Sequence, residues 1–350
     1  MTTQLARRRI AGLLACVSIT AMVATACSGA TPTRDSSGSG GDGQAVTLRL
    51  ASALPDTDST TVALKEAAKT IHDETQGRVT LQIFPNGQLG TVSGTFDQLR
   101  SGSVDMIIQN PSNTAALLPE VGVFAAPYLF SSNEGAYQAW QSDAGQQIVA
   151  DFKNKLGLVA FPPWNFGTWQ IYTARKAVNS CADMKGLKMR VPPSPILSKF
   201  LSGCGANPVQ MDVSQAFLGL QTGSVSGLPL PLNTITGFNF QQLVTDASMV
   251  NFLHDVINPI ISQKSWDKVS EEDQKVFTDA MEQARNANND LLAEAETTAR
   301  QKLLDAGVEI QEHPDITQFK QAAERTIESF VDQWGGQERI DALREAGNAS

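Results

Sequence analysis

The chain predicts an α/β fold of two α/β units braced by one long helix, and three patterns predict it. Strand-like alternation and helix-like spacing succeed each other in β-α-β-α-β order across residues 46–109. The same order returns across residues 187–222, and one helical stretch then covers residues 270–306. Such alternation implies a mostly parallel sheet flanked by helices, with ligands at the carboxyl ends of the strands.

Taken in order, residues 46–52 (Val-Thr-Leu-Arg-Leu-Ala-Ser) alternate as a strand. Residues 61–74 carry Val62, Leu64, Ala67, Ala68 and Ile71 at helical spacing, and Gly77 closes that helix. Residues 79–84 form a second strand, 94–102 a helix and 105–109 a third strand. In the second unit, residues 187–191 are a strand, 196–202 a helix, 207–211 a return strand and 213–222 a helix ended by Gly223. Residues 249–261 are a largely apolar segment that recrosses between the units. Ser270-Glu-Glu-Asp273 starts the long helix as a capped N-terminus. Its apolar positions are Val276, Phe277, Met281, Leu291, Leu292 and Ala295, and its length suits a helix touching both units. No internal repeat or sustained heptad is present. The division that follows is residues 46–170 with 254–283 as one lobe, and 171–253 with 284–345 as the other.

The N-terminus has a different character. Arg7, Arg8 and Arg9 precede an uncharged run to Ala26 that ends in Ala24-Thr25-Ala26-Cys27. The run is rich in small residues and shorter than the ~20 apolar residues of a spanning helix, so residues 1–26 read as a cleaved secretory signal. Cys27 then becomes the first residue and a lipid attachment site, in the manner of a lipobox with Ala24 where leucine is usual. A plain signal with an incidental cysteine is the alternative, and Arg8-Arg9 leaves the twin-arginine route open beside the general one. Residues 27–45 are Ser, Gly, Thr, Pro and Asp with little to bury, a flexible tether. Removal of the signal takes three arginines and no acids, moving the net charge from −9 to −12. That balance disfavours nucleic acid and anionic lipid as partners and leaves the lipid as the only membrane contact. Cys16 leaves with the signal, so Cys181 and Cys204 remain. In an oxidising compartment they either pair as a disulfide or stay as two buried thiols.

No catalytic constellation stands out. The three histidines, His72, His254 and His313, fall in a helix, the recrossing segment and a C-terminal turn. The chain has no Gly-x-Ser-x-Gly, His-Glu-x-x-His, Walker loop or Cys-x-x-Cys. The expectation is a chain that is not an enzyme, with no cofactor and no metal.

An ordered set of motifs covers nearly the whole mature chain: Gly77-Arg-Val-x-Leu-x-Ile-Phe-Pro-Asn-Gly-Gln-Leu-Gly90, Gln98-Leu-Arg-Ser-Gly-Ser-Val-Asp105, Ala126-Pro-Tyr-Leu-Phe130, Met184-Lys-Gly-Leu-Lys-Met-Arg-Val-Pro192 and Gly205-Ala-Asn-Pro-Val-Gln-Met211. Leu220-Gln-Thr-Gly-Ser-Val-Ser-Gly227 and Trp266-Asp-Lys-Val-Ser-Glu-Glu-Asp-Gln274 complete it. Together they resemble TRAP-transporter solute-binding proteins of the DctP type. The resemblance implies a two-lobed periplasmic-binding-protein-like fold (type II-like) that closes around a small organic anion. It also implies a monomer working outside the cytoplasm, in a periplasm or on the outer face of the cytoplasmic membrane, with small and large membrane subunits as partners. Arg190 matches the arginine that grips a substrate carboxylate in that family, a role for which a planar guanidinium is suited.

Two departures bear on the cargo. Trp169, or Gln170 if the alignment slips by one, stands where relatives place a second arginine, within Trp164-Asn-Phe-Gly-Thr-Trp-Gln170. Ser226-Gly-Leu-Pro-Leu-Pro231 replaces a polar Asp-Gly-x-Glu-Asn-Pro, so Leu230 stands in place of a polar contact. Both changes favour a carboxylate with an apolar or aromatic body, stacked on Trp169 and Trp164, over a C4-dicarboxylate. Ser52, Asn110 and Ser112 at strand ends, Tyr128 in its turn, and Asn233 and Thr234 after the proline-rich segment are the further candidates for lining the site. The alternatives are a C4-dicarboxylate receptor of the same system, an extracytoplasmic enzyme acting on an organic acid, and a sensor that presents its solute to a signalling partner.

Overall fold

A computed structural model describes residues 45–349. The signal, the tether to residue 44 and Cys27 lie outside the described residues.

The chain opens with β1 (Val46–Ala51), α1 (Ser59–Glu74), β2 (Val79–Phe84), α2 (Val92–Ser101), β3 (Met106–Gln109), α3 (Pro111–Thr114), α4 (Asn133–Gln141), α5 (Asp143–Leu156) and β4 (Leu158–Ala160). It continues through β5 (Trp164–Thr173), β6 (Lys188–Val191), α6 (Pro195–Gly203), β7 (Asn207–Gln210), α7 (Val213–Gln221), β8 (Gly227–Pro231), α8 (Leu232–Gly237) and β9 (Asp246–Ser262). It ends with α9 (Gln263–Trp266), α10 (Glu271–Asp305), β10 (Glu309–Gln311), α11 (Thr317–Glu328) and α12 (Gln337–Gly347).

The two α/β lobes share a mixed sheet in the order β2-β1-β3-β9-β5-β8-β6-β7. Both ends are parallel, through β1 with β2 and β3 and through β6 with β7 and β8. The middle is antiparallel: β9 pairs with β3 and β5, and β5 with β8. The expected mostly parallel sheet is therefore corrected to a mixed one. The physical reason lies in the recrossing segment, which is itself a 17-residue strand, β9, buried along most of its length. Its second half hydrogen-bonds into the first lobe and its first half into the second. A strand buried on both faces loses the period-2 pattern that marks a half-buried one.

The long helix α10 begins where Ser270 accepts from the Asp273 amide at 3.1 Å, and Arg78 clamps the Asp273 carboxylate with Nε at 3.1 Å and Nη2 at 2.7 Å. Phe277, Ala280, Met281 and Ala284 pack with α1 and β1 in one core, while Leu303 joins the core of the second lobe. One boundary of the expected lobes does not follow the packing. Ile327, Trp334, Ile340 and Leu343 share a core with Phe124, Trp140 and Phe152, so the C-terminal end, placed by the sequence in the second lobe, packs on the first. Its aromatic and aliphatic side chains find their apolar partners on α4 and α5.

Cys181 and Cys204 are bonded, with Cα atoms 4.9 Å apart, which resolves the choice the sequence left open. The loop they close contains β6.

Candidate ligand site

The strand ends converge on one cleft between the lobes. Its walls come from the end of β3 and from α3, from β5 and β9, and from β6, α7, β8 and α8. Ile108, Phe166, Trp169, Leu230, Phe238 and Ile257 supply an apolar lining, with Pro192 and Pro193 at one side. The charged groups lining it are Arg190 and Asp212.

Arg190 is 3 % exposed. It sits on β6, and its Nε donates to the Met211 carbonyl at 3.0 Å in the segment just after β7. That is its one side-chain hydrogen bond among the described residues, and it forms no ion pair there. Burial brings the guanidinium pKa down to about 10, an effect the Asp212 charge offsets only in part. The group stays cationic at neutral pH. A buried cation whose terminal nitrogens are free of protein partners is poised for an anion, because desolvation has already been met and two parallel donors remain.

Trp169 lies between two register irregularities in the β5–β9 pairing, one spanning Asn165 and Gly167, the other just after Trp169. Gly167 has φ 104°, and a Cβ there would come within 3.1 Å of Pro231, Asn233 and Glu296. The bulge therefore needs glycine, and bulges re-aim neighbouring side chains. The indole Nε1 donates to Asp255 Oδ2 at 2.7 Å, and its ring stands edge-on to Phe252 at 6.1 Å. Asn110 Nδ2 donates to the same Oδ2 at 2.7 Å, and the Val256 amide donates to Oδ1 at 2.9 Å. Asp255 is fully buried, and burial pushes its carboxyl up to about 7 against the three donors that hold it down. One carboxyl thus fixes two cleft-lining side chains from behind.

The structure brings together Arg190, Trp169, Asn110, Ser112, Leu230 and Thr234. The remaining candidates are elsewhere, each for a local reason. Ser52 turns its hydroxyl back to accept from the Leu54 amide at 3.1 Å, leaving Ala53 and Leu54 on the cleft. Gln170 points to the other face of β5, where it exchanges bonds with Asn251 at 2.7 and 2.9 Å. Trp164 is sealed in the first-lobe core with Phe161 and Phe277. Asn233 lines a polar recess against α10. Tyr128 donates to the Val250 carbonyl at 2.8 Å and belongs to a different cleft, which also holds His254 and His313. Sequence reasoning missed Asp212, Asp255 and Phe166. A single acid inside the apolar stretch of β9 was the available signal for Asp255. The three histidines fall outside the cleft: His72 is exposed near the end of α1 beside Asp73, and His254 shares a hydrogen bond with Thr168 at 3.1 Å.

The profile of "Bacterial extracellular solute-binding protein, family 7" (DctP) matches residues 50–333. The 2,3-diketo-L-gulonate-binding periplasmic protein of Escherichia coli (strain K12) is 27 % identical over 278 residues, covering 79 % of this chain and 84 % of that protein. The sialic acid-binding periplasmic protein of Vibrio cholerae is 27 % identical, covering 76 % and 82 %. The crystal structure of a TRAP periplasmic solute-binding protein from Pseudomonas putida F1 with bound D-glucuronate superposes with a TM-score of 0.80 at 26 % identity, covering 85 % of this chain and 97 % of that one.

Proposed function

This chain belongs to family 7 of the bacterial extracellular solute-binding proteins, and from that membership we propose that it captures a small organic acid on Arg190 for delivery to the membrane subunits of a TRAP-type transporter. The acid carries an apolar or aromatic body. The observation that carries the reading is the buried guanidinium without an ion-pair partner among the described residues, facing a wall of rings and aliphatic side chains. The cargoes named for the Escherichia coli, Vibrio cholerae and Pseudomonas putida proteins differ in size and shape, yet each is a carboxylic acid. A charge-assisted, two-pronged contact to a carboxylate is the interaction they have in common chemically. The apolar lining around Arg190 supports a single anchored acid group, with the rest of the solute against Trp169 and Phe166.

The receptor works outside the cytoplasm as a monomer, held to the membrane through lipid on Cys27, and binds its solute unchanged. The two lobes, with the C-terminal end riding on the first, close over the solute by bending where β9 and β5 cross. Mass spectrometry of protein purified from membranes reads both the lipid on Cys27 and any retained solute. Calorimetric titration with 3-phenylpropanoate, D-glucuronate and succinate then ranks the acids, the aromatic monoacid first. Wild-type affinity persisting in the Arg190→Ala variant would remove the anchor and the reading with it, and conversion of any bound acid would replace receptor with enzyme.

A further inference from the structure

The cleft holds a second charge that the reading above leaves unused. Asp212 occupies the N-cap position of α7, yet its side chain makes no capping hydrogen bond. An aspartate at that position ordinarily accepts from the first helical turn, so this one forgoes the contact. Its carboxyl lies on the ligand cleft, and Oδ1 is sealed from solvent with no hydrogen-bond partner among the described residues. It forms no ion pair with Arg190, although the two charges sense one another. Thr234 Oγ1 and Asn113 Oδ1, on the same cleft, are likewise buried and unpartnered.

A plain carboxylate satisfies Arg190 but adds a negative charge beside Asp212, leaving the closed cleft with an uncompensated anion. Desolvating such a charge is costly. A solute with one acid and one cationic nitrogen leaves the cleft neutral, gives Oδ1 a donor, and offers its charge to the faces of Trp169 and Phe166.

We propose that the cleft selects a zwitterionic acid, whose carboxylate meets Arg190 and whose ammonium group meets Asp212. The proposal rests on the reading that Arg190 anchors a carboxylate, and it narrows the class of acid taken.

The test is calorimetric titration with matched pairs that differ only in the amino group. L-phenylalanine is set against 3-phenylpropanoate, L-leucine against 4-methylpentanoate, and N-trimethylglycine against 3,3-dimethylbutanoate. At least one zwitterion binds the wild-type protein about 30-fold or more tightly than its partner, and Asp212→Asn collapses that ratio by weakening the zwitterion and tightening the plain acid. Because Asp212 makes no capping bond, the asparagine variant leaves α7 intact. The proposal is overturned if no zwitterion outbinds its partner, or if the ratio survives in Asp212→Asn. Arg190→Ala separates the two failures: it abolishes binding of both members of a pair when the anchor reading holds, whatever Asp212 does.

Discussion

Two clefts open between the lobes, and they differ in how they treat charge. The one around Trp169 holds two charged side chains, Arg190 buried and Asp212 half-buried, neither with an ion-pair partner among the described residues. The one around Tyr128 is lined by Glu312, Lys320, Glu324, Arg344, His254 and His313. There Arg344 pairs with Glu324 at 3.2 Å, both partly exposed, and the Lys320 ammonium lies 6.0 Å above the Tyr128 ring. The crowded cleft satisfies its charges from within and from water, where each pair contributes little. The sparse cleft leaves a buried cation unanswered. The proposed binding site is therefore marked by unmet charge, not by abundant charge.

The sharpest way to break that comparison is to neutralise one arginine in each cleft. Arg190→Met keeps side-chain volume and removes the buried cation, and we expect solute affinity to fall roughly a thousandfold or more, about 4 kcal/mol. Thermal stability should hold or rise, since an apolar side chain of similar size avoids the desolvation cost of the charge. Arg344→Met should leave affinity within about twofold. Titration and thermal melting of both variants read the outcome, and equal losses of affinity would erase the distinction.

Asp255 sharpens it next, because it supports the sparse cleft and carries a raised pKa of about 7 against an ordinary 3.8. With the folded value above the unfolded one, folding takes up a proton between those limits. The stability this group contributes is complete below about pH 4 and is lost as pH rises through about 7, on the order of 4 kcal/mol at the full shift. The difference in unfolding free energy between wild type and Asp255→Asn, followed by denaturant titration from pH 4 to 8, should change in that direction. A difference independent of pH would mean that the three N–H donors keep the carboxyl ionised throughout.

The staple beneath Arg190 comes third. Cys181 and Cys204, 23 residues apart, close the loop that contains β6. Cross-linking a loop of that length contributes about 3 kcal/mol through the unfolded chain. Replacing both cysteines with serine should lower the denaturation midpoint accordingly and weaken binding only modestly.

Much of this was legible, in a particular way. β2 was read to the residue and α10 to within one at each end, because each carries a single clear period with a cap or a glycine to close it. β5 and β8 went unread. β5 is interrupted by a bulge at Gly167 and is buried on both faces for much of its length, and β8 contains Pro229 and Pro231, which read as turn. For the cleft, the rule that strand ends line it picked chain segments on its wall but not side-chain directions. Asn110 faces the cleft, whereas Ser52 hydrogen-bonds its own turn. Asp212 stands at the N-cap position of α7 with a residue type that ordinarily caps, and only the geometry shows the cap unmade.

Tyr128 offers the smallest and cleanest contrast. The sequence placed it among ligand contacts, but its hydroxyl donates to the Val250 carbonyl and its amide to the Phe252 carbonyl at 2.7 Å, both on β9. These bonds hold a non-glycine residue at φ 55°, a conformation that is disfavoured without such support. Burial also raises its hydroxyl pKa well above the ordinary value, so the group is a neutral donor at any physiological pH. Tyr128→Phe keeps the ring and the amide bond and deletes one hydrogen bond, leaving the Val250 carbonyl short of a partner. The expected cost is about 1 kcal/mol of stability, seen as a small drop in melting temperature, with solute affinity unchanged. A loss of affinity larger than the loss of stability would move Tyr128 back among the ligand contacts and join the two clefts into one functional unit.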